Sequence, residues 1–224
     1  NLTGEFKLFP FLTFKSSIAV DLKREQSDSF TPKYYLDGDE YSSYATVGRT
    51  VYNTDYWVFD NYLTYAQKFN KHNVSVMAGT SAEKERYEEI AASKQGMANN
   101  DPSQQIINAG TINPAASGWY RVNTLNSYFG RVFYSFDNRY MITANIRWDG
   151  SSKFGSGHRW GFFPSISGGW NFSEEHFMEN TKSWLSQGKL RVGWGEIGNQ
   201  TIPAGAYLSQ YSNGHPSMWY AQYY

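Results

Sequence analysis

Between Arg139 and Gly150 the chain alternates apolar and polar side chains with a period of two. Tyr140, Ile142, Ala144, Ile146 and Trp148 occupy the even positions, while Thr143, Asn145, Arg147 and Asp149 occupy the odd ones. Successive side chains of a strand point to opposite faces, so this pattern predicts a strand with one apolar and one polar face. Rings bracket the apolar face at both ends. The eight steps between them cover about 26 Å of strand, or roughly 20 Å of height at the tilt of a membrane barrel. That approaches the apolar band of an outer-membrane barrel, whose edges carry aromatic girdles. An ordinary sandwich strand is shorter, about 5–6 residues, and needs no paired rings.

The same phase recurs elsewhere. Leu12, Phe14, Ile18, Val20 and Leu22 alternate with Thr13, Lys15, Ser17, Asp21 and Lys23. Trp160, Phe162, Ile166, Trp170 and Phe172 alternate with Arg159, Ser165, Ser167 and Asn171, Phe163 being out of phase. Tyr128, Val132, Tyr134 and Phe136 do so with Ser127, Arg131 and Ser135, with Phe129 and Phe133 off-pattern; Leu190, Val192 and Trp194 alternate with Lys189, Arg191 and Gly193. About seven long strands are expected, near residues 11–25, 53–69, 73–90, 122–136, 139–150, 159–172 and 188–198. Asn70–Lys71 and Asp137–Asn138 sit in tight polar hairpin turns, whereas 24–50 and 91–120 read as long loops. Short turns at one rim and long loops at the other match the outer-membrane arrangement, with the short side periplasmic. Ser173, followed by Glu174 and Glu175, reads as the cap of a one- to two-turn helix.

Composition narrows the picture. The formal net charge is zero, from 20 basic and 20 acidic residues, so no field points at nucleic acid. There is no cysteine, which excludes disulfides and thiolate metal sites. Aromatic residues make up 18% of the chain, and mean hydropathy is negative (−0.61), as polar lumen-facing positions would make it. Residues 1–10 lack the pattern of a signal peptide, and no apolar run of the length of a membrane helix occurs. Membrane residence would then require a closed barrel.

Residues 128–200 carry a resemblance. Tyr128-Phe129-Gly130-Arg131-Val132, Arg147-Trp148-Asp149-Gly150-Ser151-Ser152-Lys153-Phe154-Gly155, Arg159-Trp160-Gly161, Phe163-Pro164-Ser165 and Gly169-Trp170 occur in this order. They are followed by Ser173-Glu174-Glu175, Phe177-Met178, Leu190-Arg191-Val192-Gly193-Trp194-Gly195 and Gly198-Asn199-Gln200. Together they resemble the barrel of SusC/RagA-type TonB-linked outer-membrane proteins. Residues 1–127 are compatible with strands of that family but match less distinctively. The resemblance implies an all-β fold, a segment of a ~22-stranded transmembrane antiparallel barrel, with residues 1–224 as a partial barrel domain. A plug domain and the remaining strands would lie outside this chain, which stops at Gln222-Tyr223-Tyr224 in what should be a loop. It further implies import of oligosaccharides or peptides across the outer membrane of a Gram-negative, Bacteroidota-like bacterium. TonB and a SusD-like surface lipoprotein would be partners, and neither enzymatic activity nor a cofactor is expected. A passive porin and a soluble β-rich carbohydrate-binding module are the alternatives.

Candidate site residues follow from this frame. Tyr140, Trp148, Trp160 and Trp170 are expected to be lipid-facing girdle anchors. Tyr41, Tyr44, Trp119 and Tyr120, with Tyr34 and Tyr35, are expected in long loops, where they would contact substrate or a lid, or pack the loops together. The Asp149–Phe154 run lacks the glycine spacing and Lys-Ser/Thr pair of a phosphate loop and reads as a surface turn, with Gly150, Gly155 and Gly157 supplying positive φ. The acids Glu83, Glu85, Glu88 and Glu89 read as a solvated strand end. His72, His158, His176 and His215 have no metal-site spacing, and no serine sits in a nucleophile elbow. If the apolar face meets lipid, Ile142→Arg or Ile146→Arg lowers barrel stability by about 2–4 kcal/mol, and Thr143→Arg by much less. Urea unfolding of the full-length protein in lipid vesicles measures the difference, and equal costs on the two faces would contradict the assignment.

Overall fold

The computed structural model describes residues 1–207 apart from 182 and 204. His215 and the Gln222–Tyr224 end therefore lie outside the described residues. The strands are β1 (Leu2–Phe9), β2 (Leu12–Thr31), β3 (Tyr34–Tyr35), β4 (Tyr41–Ser42), β5 (Thr46–Phe69), β6 (His72–Gln95), β7 (Ile112–Phe136), β8 (Tyr140–Ser151), β9 (Trp160–Trp170) and β10 (Leu190–Gly195). Eight of them form one sheet in the order β1-β2-β5-β6-β7-β8-β9-β10, and β3 pairs with β4 apart from it. The pairs β1–β2, β7–β8, β8–β9 and β9–β10 are antiparallel. No helix among the described residues is long and apolar enough to cross a membrane, which has no bearing on crossing by strands.

The all-β expectation holds, with three corrections. The main sheet has one strand more than expected, β1, in which Leu2, Phe6 and Leu8 alternate with Thr3, Glu5 and Lys7. Much of the two expected long loops is strand: β2 runs on to Thr31, β5 starts at Thr46, β6 reaches Gln95 and β7 starts at Ile112. These stretches are mixed in polarity on both faces, so the backbone ladder persists where the period-two signal fades. Finally, the expected helix is a pair of 3₁₀ turns, Phe172–Glu174 and His176–Thr181. Ser173 does not cap it; its buried hydroxyl donates to Asn171 Oδ1 at 3.0 Å.

Among the described residues, compactness divides the chain into two units, one of residues 1–18, 59–83 and 123–207, the other of 19–58 and 84–122. The boundary cuts β2, β5, β6 and β7 part-way, so each strand contributes to both.

In the first unit the usual arrangement of a water-soluble sheet is reversed. Along β8 the apolar residues Tyr140, Ile142, Ala144, Ile146 and Trp148 are the exposed ones, and Thr143, Asn145, Arg147 and Asp149 are half-buried. The buried polar side chains are Ser81, Asn123, Ser127, Ser135, Ser151 and Ser173, and all of them belong to this unit. The apolar positions line up across strands: Tyr134, Ile142, Gly168 and Val192 form one row, and Val132, Ala144, Ile166 and Trp194 the next. On the other face a crosswise chain of hydrogen bonds takes their place. Arg131 Nε donates to Asn145 Oδ1 at 2.7 Å, and Asn145 Nδ2 donates to Ser165 Oγ at 3.0 Å. Arg147 donates to Asp149 at 2.7 Å and to Ser127 Oγ at 2.9 Å. The out-of-phase Phe129 and Phe163 sit on this polar face, in register with Arg147. They pack over glycines: a Cβ at Gly79 would lie 2.8 Å from the Phe129 ring, and one at Gly161 would lie 2.5 Å from the Phe163 ring.

The short turns carry their own chemistry. Asp137 and Asn138 both adopt positive φ (51° and 56°), as a type I′ hairpin turn requires, and Arg139 N–H closes onto Phe136 C=O at 2.9 Å. Asp137 N–H donates to Lys71 C=O at 2.8 Å, tying this turn to the β5–β6 turn. Asp137 also accepts from Lys71 and Arg139, each at 3.0 Å. Glu175 accepts from Tyr140 Oη at 2.6 Å, Trp170 Nε1 at 3.1 Å and Arg139 Nη1 at 3.2 Å. One carboxylate thus holds the polar tips of two rings. Of the three glycines expected to have positive φ, Gly157 alone does (85°); Gly150 is in β8 with the Trp160 ring laid over it.

The second unit is built the conventional way. Ala45, Val47 and Met97 are the buried hydrophobic residues among those described, and Phe30 and Ala109 pack against them. Gly96, at φ 77°, donates its N–H to Ala45 C=O at 3.1 Å. Arg49 grips Asp28 through two nitrogens at 2.5 and 3.2 Å.

Two outcomes follow. Hydrogen bonds from Tyr140, then Trp170, and the nearby Arg139 hold the Glu175 carboxyl below its ordinary value of 4.5. A depressed folded pKa contributes stability that is present above the unfolded value and is lost as pH falls through the folded one. The stability advantage of wild type over Glu175→Gln, read by thermal melts of the full-length protein in detergent, is therefore expected at neutral pH and vanishes in acid below the ordinary glutamate value. Second, a Cβ at Gly79 would sit 2.6 Å from both Asn61 O and Tyr62 Cβ. Gly79→Ala is expected to cost about 1–3 kcal/mol in chemical unfolding. Gly130→Ala, whose nearest contact would be Ile146 at 3.4 Å, should stay within about 0.5 kcal/mol.

Candidate functional site

The strands that hold the polar ladder also frame a cavity of about 490 Å³. Strand β6 supplies Glu83, and β8 supplies Arg147 and Asp149. His158 and Arg159 come from the β8–β9 connection, and Asn199 and Gln200 from the segment after β10. Phe154, Trp160 and Phe163 add ring surface. The wall is fixed by backbone bonds, Ser151 N–H to Arg159 C=O at 2.9 Å and Ser152 N–H to Thr124 C=O at 3.0 Å. Ser152 Oγ returns a bond by accepting from Thr124 N–H at 2.8 Å, and Lys153 Nζ reaches Gln200 C=O at 3.4 Å. The Asp149–Phe154 run therefore makes the local bonds expected of a surface turn, such as Lys153 N–H to Ser151 Oγ at 3.3 Å, and also lines the cavity. Glu83, read from sequence as a solvated strand end, lines it too. A mixed-charge wall with rings can hydrogen-bond and stack on a polar guest. Its residues come from four separate parts of the chain, so no local motif announced it.

The expected girdle residues fall on the apolar face. Tyr140 and Trp170 are in register with each other at the end of β8 and β9 nearer the short turn. Trp148 and Trp160 meet at the other end, ring centroids 5.3 Å apart, with Tyr128 stacked on Trp160 at 5.9 Å. All four are exposed, Trp148 by 52% and Trp170 by 37%. A shallow apolar hollow of about 390 Å³ opens between the rows, over Ile142, Gly168, Trp170 and Val192.

The expected loop contacts do not form one group. Tyr41 lies in the small β3–β4 pair with its ring 6.2 Å from Tyr35, and Tyr44 follows it, exposed. Trp119 and Tyr120 are in strand β7 instead of a loop, and as adjacent strand residues they face opposite ways. Trp119 meets the Tyr87 ring at 5.0 Å, while Tyr120 lies 5.7 Å from the Arg86 guanidinium. Three residues that sequence reasoning missed complete the Trp119 group. Tyr87 is 6.3 Å from Tyr52, and Arg121 lies 5.6 Å from the Tyr87 ring and 6.0 Å from that of Trp119. Trp119 and Arg121 are two apart on one strand, which is the one cue the sequence offered. Of the histidines, His72 Nδ1 lies 2.7 Å from Tyr134 Oη and His176 Nδ1 2.7 Å from Glu179. Among the described residues there is no cluster of three potential metal ligands.

Known proteins match this chain in both sequence and fold. The TonB-dependent receptor SusC of Bacteroides thetaiotaomicron is 32% identical over 220 residues, covering 98% of this chain and 21% of that protein. TonB-dependent receptor P39 of Formosa agariphila is 33% identical over 211 residues, 93% of this chain and 20% of that protein. No protein-family model matches. In structure, the chain aligns with part of the RagAB peptide transporter at a TM-score of 0.79, with 23% identity, covering 89% of this chain and 22% of that one. It thus spans about a fifth of the length of the curated relatives it matches. Those relatives are receptors and transporters, not enzymes. Over nearly its whole length the chain is homologous to part of the SusC-type TonB-dependent receptors, and it has the fold of a stretch of RagA-like barrel wall.

Proposed function

We propose that residues 1–224 form part of the wall of an outer-membrane barrel that imports a bulky nutrient, energised through TonB. The observation that carries this reading is the reversed first unit, in which apolar rows are exposed and serines are buried. Water penalises such a face, at roughly 25 cal/mol for each Å² of apolar surface left exposed, whereas lipid tails do not. Tyr140, Trp148, Trp160 and Trp170 then act as interfacial anchors at the two edges of the apolar band. The short turns at Asp137–Asn138 and Asn70–Lys71 face the periplasm, and β5, β6 and β7, with 24, 24 and 25 residues, run well past the ~9–11 residues a crossing needs. The second unit, with its own small apolar core, has the arrangement of a part surrounded by water.

In this reading the plug and the segment that contacts TonB are supplied by the rest of the polypeptide, and a SusD-like lipoprotein covers the outer mouth. The identity to SusC and P39 supports the energy-coupled reading over a passive pore. The test uses the full-length protein in its own outer membrane. It should remain in the membrane pellet after urea or carbonate washing and migrate faster unheated than boiled on gels. Cells lacking either this protein or TonB should lose uptake of the same nutrient. Release by urea would end the membrane reading, and uptake that persists without TonB would end the coupled one.

A further inference from the structure

The apolar hollow of the first unit ends on a charged edge. Tyr140, Trp170 and Leu190 form one row across β8, β9 and β10, and Ile142, Gly168 and Val192 form the next. All six line the hollow of about 390 Å³. Gly168 is the gap in its row, where a Cβ would meet nothing within 4 Å. Tyr140 and Trp170 line the hollow with their rings while their polar tips donate to Glu175, which also accepts from Arg139. Arg139 and Lys71 both reach Asp137. Phe177, 68% exposed, lies beside Trp170 with ring centroids 6.5 Å apart. We propose that this hollow holds an acyl chain of one phospholipid with a zwitterionic ethanolamine head, the head seated at the charges of Lys71, Arg139, Asp137 and Glu175. This rests on the barrel-wall reading and gives that wall a specific lipid partner.

Three features select that occupant. First, the order along the strands is that of an amphiphile. The Ile142–Gly168–Val192 row is wholly apolar, the next row carries two rings with polar tips, and the charges follow at the turns. Rings of this kind suit the junction between a hydrocarbon tail and its head. Second, the site is formed in advance. Glu175 fixes both ring tips, and the side chain missing at Gly168 leaves a notch between Ile142 and Val192. A guest is then spared the cost of ordering its site. Among lipids the hydrophobic effect does not favour one chain over another, so selection falls to packing in the notch and to the head. Third, the charges balance. Two cations, Lys71 and Arg139, stand against two anions, Asp137 and Glu175, which leaves no net field for an anionic head. A head with both an ammonium and a phosphate finds a partner for each.

The experiment follows lipid retention by native mass spectrometry of the full-length protein in a phospholipid-free detergent. The probes are dioleoyl phosphatidylethanolamine, dioleoyl phosphatidylglycerol and dioleoylglycerol. One phosphatidylethanolamine is expected to stay on each chain, preferred over the other two by about threefold or more. Gly168→Leu fills the notch and should weaken retention about fivefold or more, since each displaced methylene loses its contacts. Phe177→Ala should weaken it by less. Val132→Leu, on the same face but outside the hollow, should leave retention unchanged, and all three variants should keep the gel mobility and melting profile of wild type. The proposal is overturned if no lipid stays bound, if the glycerol or headless lipid binds equally well, or if folded Gly168→Leu retains lipid as wild type does. It also fails if Gly168→Leu turns a dimer into a monomer with lipid retention intact, which would make the hollow a contact between copies of this chain. The importer reading is judged separately, by membrane retention and TonB-dependent uptake, and it stands if the hollow holds no lipid.

Discussion

A folded chain has to match each of its faces to the medium it meets, and here that requirement differs along the same strands. In residues 1–18, 59–83 and 123–207 the exposed rows are Ile142, Ile146, Val132 and Ile166, and the buried side chains are serines and an asparagine. In 19–58 and 84–122 the buried side chains are Ala45, Val47 and Met97. Hydrophobic burial cannot organise the first unit internally, because its apolar surface points away from its neighbours. What remains to hold it is the backbone ladder and a set of crosswise polar bonds. Those bonds tie neighbouring strands side chain to side chain where packing of apolar groups does not.

That shift explains why glycine and serine carry so much of the packing. The polar face has to admit Arg131, Arg147 and the rings of Phe129 and Phe163, and room comes from small residues opposite them. Gly79 and Gly161 take the two rings, and Ser127 and Ser165 accept or extend the arginine and asparagine bonds. The Arg131–Asn145–Ser165 run joins β7, β8 and β9 side chain to side chain, a role that leucine and valine fill in a soluble sheet.

How much of this was legible depends on which face a residue occupies. The apolar rows were readable from period-two alternation because that face is uniformly apolar; strand, face and edges are all legible in Tyr140 to Trp148. The polar face tolerates almost anything that can be satisfied locally, so Phe163 reads as out of phase and Glu83 as a solvated end, although both line the same cavity. The extended parts of β5, β6 and β7 were read as loops for a related reason. Thr46–Thr50 and Ile112–Tyr120 show little contrast between faces, and the hydrogen-bond ladder leaves no mark in side-chain type. Trp119 and Tyr120 were grouped by their proximity in sequence, yet strand geometry sends them to opposite faces, and Trp119 belongs with Tyr87 and Arg121 from a neighbouring strand and two residues on. Asp137–Asn138 was legible because a mirror-image turn accepts few residue types.

The tight turn at Asp137–Asn138 also bears on how such a wall is assembled. Its ends are separated by so few residues that closing it costs little chain entropy, and the β7–β8 register from Phe136↔Tyr140 to Leu125↔Ser151 can propagate from it as a zipper. β2 and β5, by contrast, have the β3–β4 segment between them and must find each other over a longer loop. Pairing is therefore expected to start at the rim where the turns are short and to travel along the strands toward the far ends. This order forms each hairpin with its internal hydrogen bonds made, leaving the strand-to-strand seams between hairpins as the slow steps.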